Sequence, residues 1–80
     1  MSQEEIFNKI ADMIADRFEV DRSTITMNLN FQNDLDADSI DFVEFVMDLE
    51  DAFGSEIPDE DAEKLQTVGE AVEYIQNHQS

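Results

Sequence analysis

Asp38-Ser39-Ile40-Asp41-Phe42-Val43-Glu44-Phe45-Val46-Met47-Asp48-Leu49-Glu50-Asp51-Ala52-Phe53-Gly54 combines an apolar stripe with an acidic face. Phe42, Phe45, Val46, Leu49 and Phe53 recur every three or four residues, which places them along one side of an α-helix. Val43 and Met47 widen that stripe. Asp38 is positioned to cap the helix, because its carboxylate can accept from an amide of the first turn that has no intrahelical partner. Asp41 adds negative charge where the helix dipole favours it. Gly54 supplies the stop, since glycine tolerates the left-handed conformation that ends many helices.

The flanking sequence repeats the pattern. Ser2-Gln3-Glu4-Glu5 fits a capping box, and behind it Ile6, Ile10, Met13 and Ile14 keep helical spacing, as do Phe7, Ala11 and Phe18. This predicts a first helix from about residue 3 to residue 17. Pro58 and Asp59 open a short helical segment over Glu60 to Leu65. Thr67-Val68-Gly69-Glu70 is a second capping-box pattern, followed by Ala71, Val72 and Ile75 in register with Val68. Residues 25–31 alternate in polarity, but one short strand has no partner, so they read as an extended loop pinned by its apolar side chains. The expected fold is all-α: a small four-helix bundle of three longer helices and one short one, with a long loop between helices 1 and 2. Residues 1–80 are expected to form a single domain.

Charge narrows the function. Twenty-one acids face four bases, a formal net charge of −17. The bases are Lys9, Arg17, Arg22 and Lys64, and none lies between Ser23 and Glu63. Such a surface repels phosphate backbones and anionic headgroups, so neither nucleic acid nor membrane insertion is expected, and partners should present basic patches. Hydrophobic residues make up 41% of the chain and include six phenylalanines, enough for a core. No apolar run approaches a membrane span. The acidic start, Met1-Ser2-Gln3-Glu4-Glu5, has no secretory signal, and a cytoplasmic location is expected. Self-repulsion favours a monomer.

Catalysis by the chain itself finds no support. There is no cysteine, and the one histidine, His78, reads as a solvated tail residue. Ser39 lacks the glycine-flanked elbow of a hydrolase nucleophile, and no glycine-rich phosphate loop is present. Carboxylate pairs are unavoidable at this composition and read as a solvated face. Asp34, Asp36 and Asp38 have the spacing of a calcium loop, but Ser39 and Phe45 stand where an EF-hand needs its glycine and its bidentate glutamate. No specific metal site is expected.

What remains is a serine directly behind a capping aspartate. Taken alone, Asp-Ser before a helix is more often only a cap. Here it lies within Asp34-Leu35-Asp36-Ala37-Asp38-Ser39-Ile40-Asp41. That stretch resembles the attachment motif of the acyl carrier protein family, Asp-Leu-Gly-Ala-Asp-Ser-Leu-Asp, with Asp36 in place of the glycine and Ile40 in place of the second leucine. Val43-Glu44, Val46-Met47, Glu56-Ile57-Pro58-Asp59-Glu60, Ala62-Glu63-Lys64, Thr67-Val68 and Tyr74-Ile75 extend the resemblance across essentially the whole chain.

The resemblance implies a non-catalytic carrier. Ser39 would receive 4′-phosphopantetheine from coenzyme A through a separate phosphopantetheinyl transferase, and the arm's thiol would carry acyl groups for fatty acid synthesis enzymes. It implies that Asp38, Asp41, Glu44, Glu50 and Asp51 meet basic patches on those partners. It also implies an acyl pocket formed by Phe31, Val46, Leu49, Ala62, Leu65, Ala71 and Tyr74, for which ordinary core packing is an equally valid reading. Two alternatives stand beside it: a specialised carrier for D-alanine or polyketide units, and an acidic interaction protein such as a nucleic-acid mimic.

The charge density makes one prediction independent of family. Added salt or millimolar magnesium raises the melting temperature by screening self-repulsion. A melting temperature unchanged by magnesium would count against it.

Overall fold

In the computed structural model, which describes residues 2–35 and 38–78, helix α1 (Gln3–Phe18) starts at its capping signal, the Glu5 amide donating to Ser2 Oγ at 3.2 Å. It ends at Glu19, whose left-handed φ of 54° is a strained conformation for a residue with a Cβ. Helix α2 spans Ser39–Phe53 and stops at Gly54, which has φ 65°. Helix α3 is the short Asp59–Ala62, behind Pro58. Helix α4, Val68–His78, begins with reciprocal side-chain capping: the Glu70 amide donates to Thr67 Oγ1, and the Gln66 amide donates to Glu70 Oε2. Three longer helices and one short one thus match the architecture expected from sequence.

One apolar core joins all four. Ile6, Ile10 and Ile14 of α1 are fully buried with Val68, Ala71 and Val72 of α4. Phe45 and Leu49 enter from α2, and the Phe18 ring meets Phe45 edge-on at 5.9 Å. The buried stripe on α2 is narrower than the sequence pattern predicts. Val43 is 52% exposed and Met47 61%, so the widening they were expected to give is absent. At about 100° per residue both lie off the arc of Phe45, Leu49 and Phe53, and α1 and the loop before α2 already fill the inner side.

The long connection is an ordered loop. Asp21 caps a 3-10 turn at Arg22–Thr24 by accepting from the Ser23 amide and hydroxyl. Those bonds, the amide's above all, hold its carboxyl below the usual carboxylate range. Ile25, Leu29, Phe31 and Leu35 are buried in the core. The backbone is tied to the start of α4: Val68 N donates to Leu29 O, Gly69 N to Met27 O at 2.8 Å, and Phe31 N to Gln66 O. A Cβ at position 69 would sit 3.0 Å from the Met27 oxygen, which accounts for glycine at this crossing. Asn30 and Thr67 form an isolated antiparallel bridge, and the described residues contain no strand. Asp34 closes a turn with Asn30, taking the Asn30 amide at 2.8 Å on Oδ2 while its own amide donates to Asn30 O. Asp36 and Ala37, including the family-motif substitution at 36, lie outside the described residues.

Tyr74 fastens α3 to α4. Its hydroxyl donates to Asp61 Oδ2 at 2.8 Å, and its ring stacks on His78, whose Nδ1 lies 2.8 Å from the Tyr74 carbonyl oxygen. His78 is exposed, as expected of a solvated residue, and it is the last residue of α4, stacked on the Tyr74 ring. Burial first, then the Asp61 hydrogen bond, push the Tyr74 hydroxyl from its ordinary 10.0 up to about 12. A group that binds its proton more tightly when folded contributes stability that is complete below its unfolded pKa and is lost as pH rises through the folded one. Urea unfolding should therefore show stability falling between pH 10.0 and about 12. Tyr74→Phe should remove this part of the slope; an unchanged slope in that variant would show that Tyr74 is not its source.

Candidate functional site

The first turn of α2 is built by Asp38. Its extended backbone lets Oδ1 accept from the Asp41 amide at 2.9 Å, while its carbonyl accepts from Phe42 N at 3.1 Å. Ser39 is the first helical residue. It is exposed, and its hydroxyl carries no hydrogen bond among the described residues. The amides of Ser39 and Ile40 precede the first intrahelical bond, so they remain as donors at the positive end of the dipole. This is a nucleophile-bearing side chain that is held in place and reachable, beside donors suited to a phosphodiester. The carboxylates of Asp38 and Asp41 oppose that attraction. No histidine approaches, so the site holds no base of that type to activate the hydroxyl.

Ser39 opens onto a cleft. A space of about 630 Å³ is lined by Phe31, Gln32, Asp38, Ser39, Phe42, Val43, Glu63 and Leu65. A smaller one of about 270 Å³ lies between α2 and α3, against Val46, Met47, Glu50 and Ala62. Phe42, Val43 and Glu63 border both, so the two adjoin. Of the seven candidate pocket residues, Phe31 and Leu65 line the first cleft, and Val46 and Ala62 the second. Leu49 and Ala71 are packed in the core at 1% and 0% exposure. Tyr74 lines neither cleft and bonds Asp61.

The acidic positions do not form a uniform face. Asp38, Asp41, Glu44 and Asp51 are exposed and Glu50 is half-buried. Glu44 is engaged from within: Arg17 of α1 donates through Nη1 to its Oε2 at 3.2 Å. The same guanidinium bonds Asp48 Oδ2 through Nε at 2.7 Å and also through Nη2. Hydrogen bonding to Asp48 is the main influence raising the Arg17 pKa, so it stays charged. Lys9 also reaches α2, with Nζ donating to Ala52 O at 3.3 Å and lying over the Phe53 ring.

Sequence reasoning missed two features here. Arg17 could have been suspected as one of only four bases, facing two carboxylates one helical turn apart. The other is an outward apolar ridge of Ile40, Val43 and Met47, which are 69%, 52% and 61% exposed. Among the described residues no group of three or more potential metal ligands comes together, and no helix is long and apolar enough to cross a membrane.

The family described as phosphopantetheine attachment site matches residues 8–75, a span that includes the α2 start and both clefts. The acyl carrier protein of Lactobacillus johnsonii is 79% identical over all 80 residues, covering 100% of both chains. The chain belongs to the acyl carrier proteins. The acyl carrier protein of Rubrobacter xylanophilus is 55% identical, covering 100% of this chain and 99% of that one. The solved structure of the acyl carrier protein of Enterococcus faecalis, 50% identical, superposes with a TM-score of 0.84 over 98% of this chain and 99% of that one. Acyl carrier proteins are non-catalytic carriers with a phosphopantetheine prosthetic group.

Asp38→Ala removes the acceptor of the Asp41 amide and should cost about 1 kcal/mol of stability. Chemical denaturation measures this, and no loss would mean that another group caps α2.

Proposed function

We propose that Ser39 is the residue that carries 4′-phosphopantetheine, and that residues 1–80 work as a single carrier domain. The observation that supports this best is the exposed Ser39 hydroxyl, without a hydrogen bond among the described residues, at the capped start of α2 beside a cleft of about 630 Å³. Coenzyme A is the donor: the Ser39 hydroxyl oxygen attacks the pantetheine-bearing phosphorus of its pyrophosphate, the P–O–P bond breaks, adenosine 3′,5′-bisphosphate leaves, and a base of the phosphopantetheinyl transferase takes the serine proton. The chain has no cysteine, so the thiol that bears the acyl group comes with the arm. Donors on one side and carboxylates on the other suit a phosphate that is held loosely, as a swinging arm requires.

In this reading the cargo is a growing acyl chain of fatty acid synthesis, and the carrier works in the cytoplasm. The clefts beside Ser39 and between α2 and α3 shelter the chain, with Phe31, Leu65, Val46 and Ala62 as first contacts. Leu49, Ala71 and Tyr74 come into play only if the core parts. Partner enzymes dock on α2: Asp38, Asp41, Glu44, Glu50 and Asp51 meet basic side chains, and the Ile40, Val43 and Met47 ridge gives them an apolar surface to cover. Exposed charge pairs speed association and leave it reversible in salt.

Intact mass spectrometry tests the attachment. Incubation with coenzyme A and a phosphopantetheinyl transferase should add one phosphopantetheine, and Ser39→Ala should add none while keeping its helical circular dichroism. Modification of the folded alanine variant would refute the assignment.

A further inference from the structure

The docking face is already partly occupied by the protein's own arginine. Glu44 and Asp48 stand one turn apart on α2, and the Arg17 fork spans both. At about 100° per residue, Glu44 lies next to the Ile40–Met47 ridge on the α1 side, where a docked partner would place a cation. The other exposed carboxylates of α2, Asp38, Asp41 and Asp51, have no ion pair among the described residues. The face is therefore open at both ends and half-neutralised in its middle, where one guanidinium serves two carboxylates.

We propose that Arg17 is an internal competitor for basic partners: its guanidinium holds the seat on Glu44 and Asp48 that a partner's arginine or lysine takes on docking. This rests on the reading that α2 docks basic patches. Partners that use only the ends of α2 bind without disturbing α1. Partners that use the middle exchange one cation for another, so their gain is the difference between two similar pairs. The exchange is feasible because Arg17, Glu44 and Asp48 side chains are 30%, 55% and 46% exposed, and water can replace each bond as it breaks. It also limits affinity, which suits a carrier that must leave each enzyme.

The test is kcat/KM for phosphopantetheinylation by a transferase with a basic docking patch, at low and high salt. Arg17→Gln should raise the low-salt value about threefold, and the gain should vanish at high salt. In that background Glu44→Gln with Asp48→Asn should cancel the gain. Arg17→Lys keeps the net charge but loses the fork, so a smaller rise is expected; it decides the matter if the glutamine variant does not fold. Arg22→Gln removes an equal charge whose side-chain partners, Asp12, Asn8 and the Phe7 ring, all lie on α1.

No rise in either Arg17 variant, or an equal rise in Arg22→Gln, overturns the proposal. A purely structural staple would lower the melting temperature of Arg17→Gln without any gain in rate. Asp41→Asn, at the open end, keeps the two readings apart. If it slows the reaction while Arg17→Gln does not speed it, docking stands and the competitor falls; if it has no effect, the docking reading itself fails.

Discussion

The buried ring of Phe31 holds the functional end of the molecule together. It lies 5.5 Å from the ring of Phe42 and 5.6 Å from that of Phe45, at 2% exposure. Burying such a side chain contributes about 2 kcal/mol, a large share of what a domain of this size has in hand. The contact joins the long loop to α2, and the amide of Phe31 joins the same residue to Gln66 before α4. Phe42 lies one turn beyond Ser39. The residue that anchors the loop therefore also fixes the turn that displays the serine, and it forms one wall of the cleft beside it.

Charge works against this small core, and α1 answers it with its few bases. Arg17 and Lys9 both reach across to α2, one to its middle and one to its C-terminal carbonyls. Arg22, from the 3-10 turn, folds back onto Asp12 and Asn8 of α1. Each pair is exposed and individually weak. Their placement matters more than their strength, because they decide which acids of α2 have no ion pair among the described residues. The first turn of α2 stays fully acidic beside Ser39, and the middle does not.

How much could be read from sequence follows from how local each cause is. The caps at Ser2, Asp38 and Thr67, and the stop at Gly54, involve residues within one turn and were legible. So was the core stripe of Phe45, Leu49 and Phe53. The loop's path was not, because its bonds to Gln66, Val68 and Gly69 join segments far apart in the chain; only its apolar Ile25, Leu29 and Phe31 hinted at it. Exposure of Val43 and Met47 was illegible because periodicity gives an arc and only the neighbours decide its width. Among the site residues, Ser39 and Asp38 stood out through motif and cap. The division of Glu44 and Asp48 from Asp41 and Asp51 depends on Arg17, which sequence spacing does not place.

The chain has five serines, at 2, 23, 39, 55 and 80, and they differ in what holds their hydroxyls. Ser23 is already bonded to Asp21, whereas Ser39 is exposed with no bond at its hydroxyl among the described residues. Tandem mass spectrometry of proteolytic fragments from the loaded protein compares them directly. The account predicts phosphopantetheine on the fragment containing Ser39 and on no other. The arm on a fragment carrying Ser23 or Ser55 would contradict it.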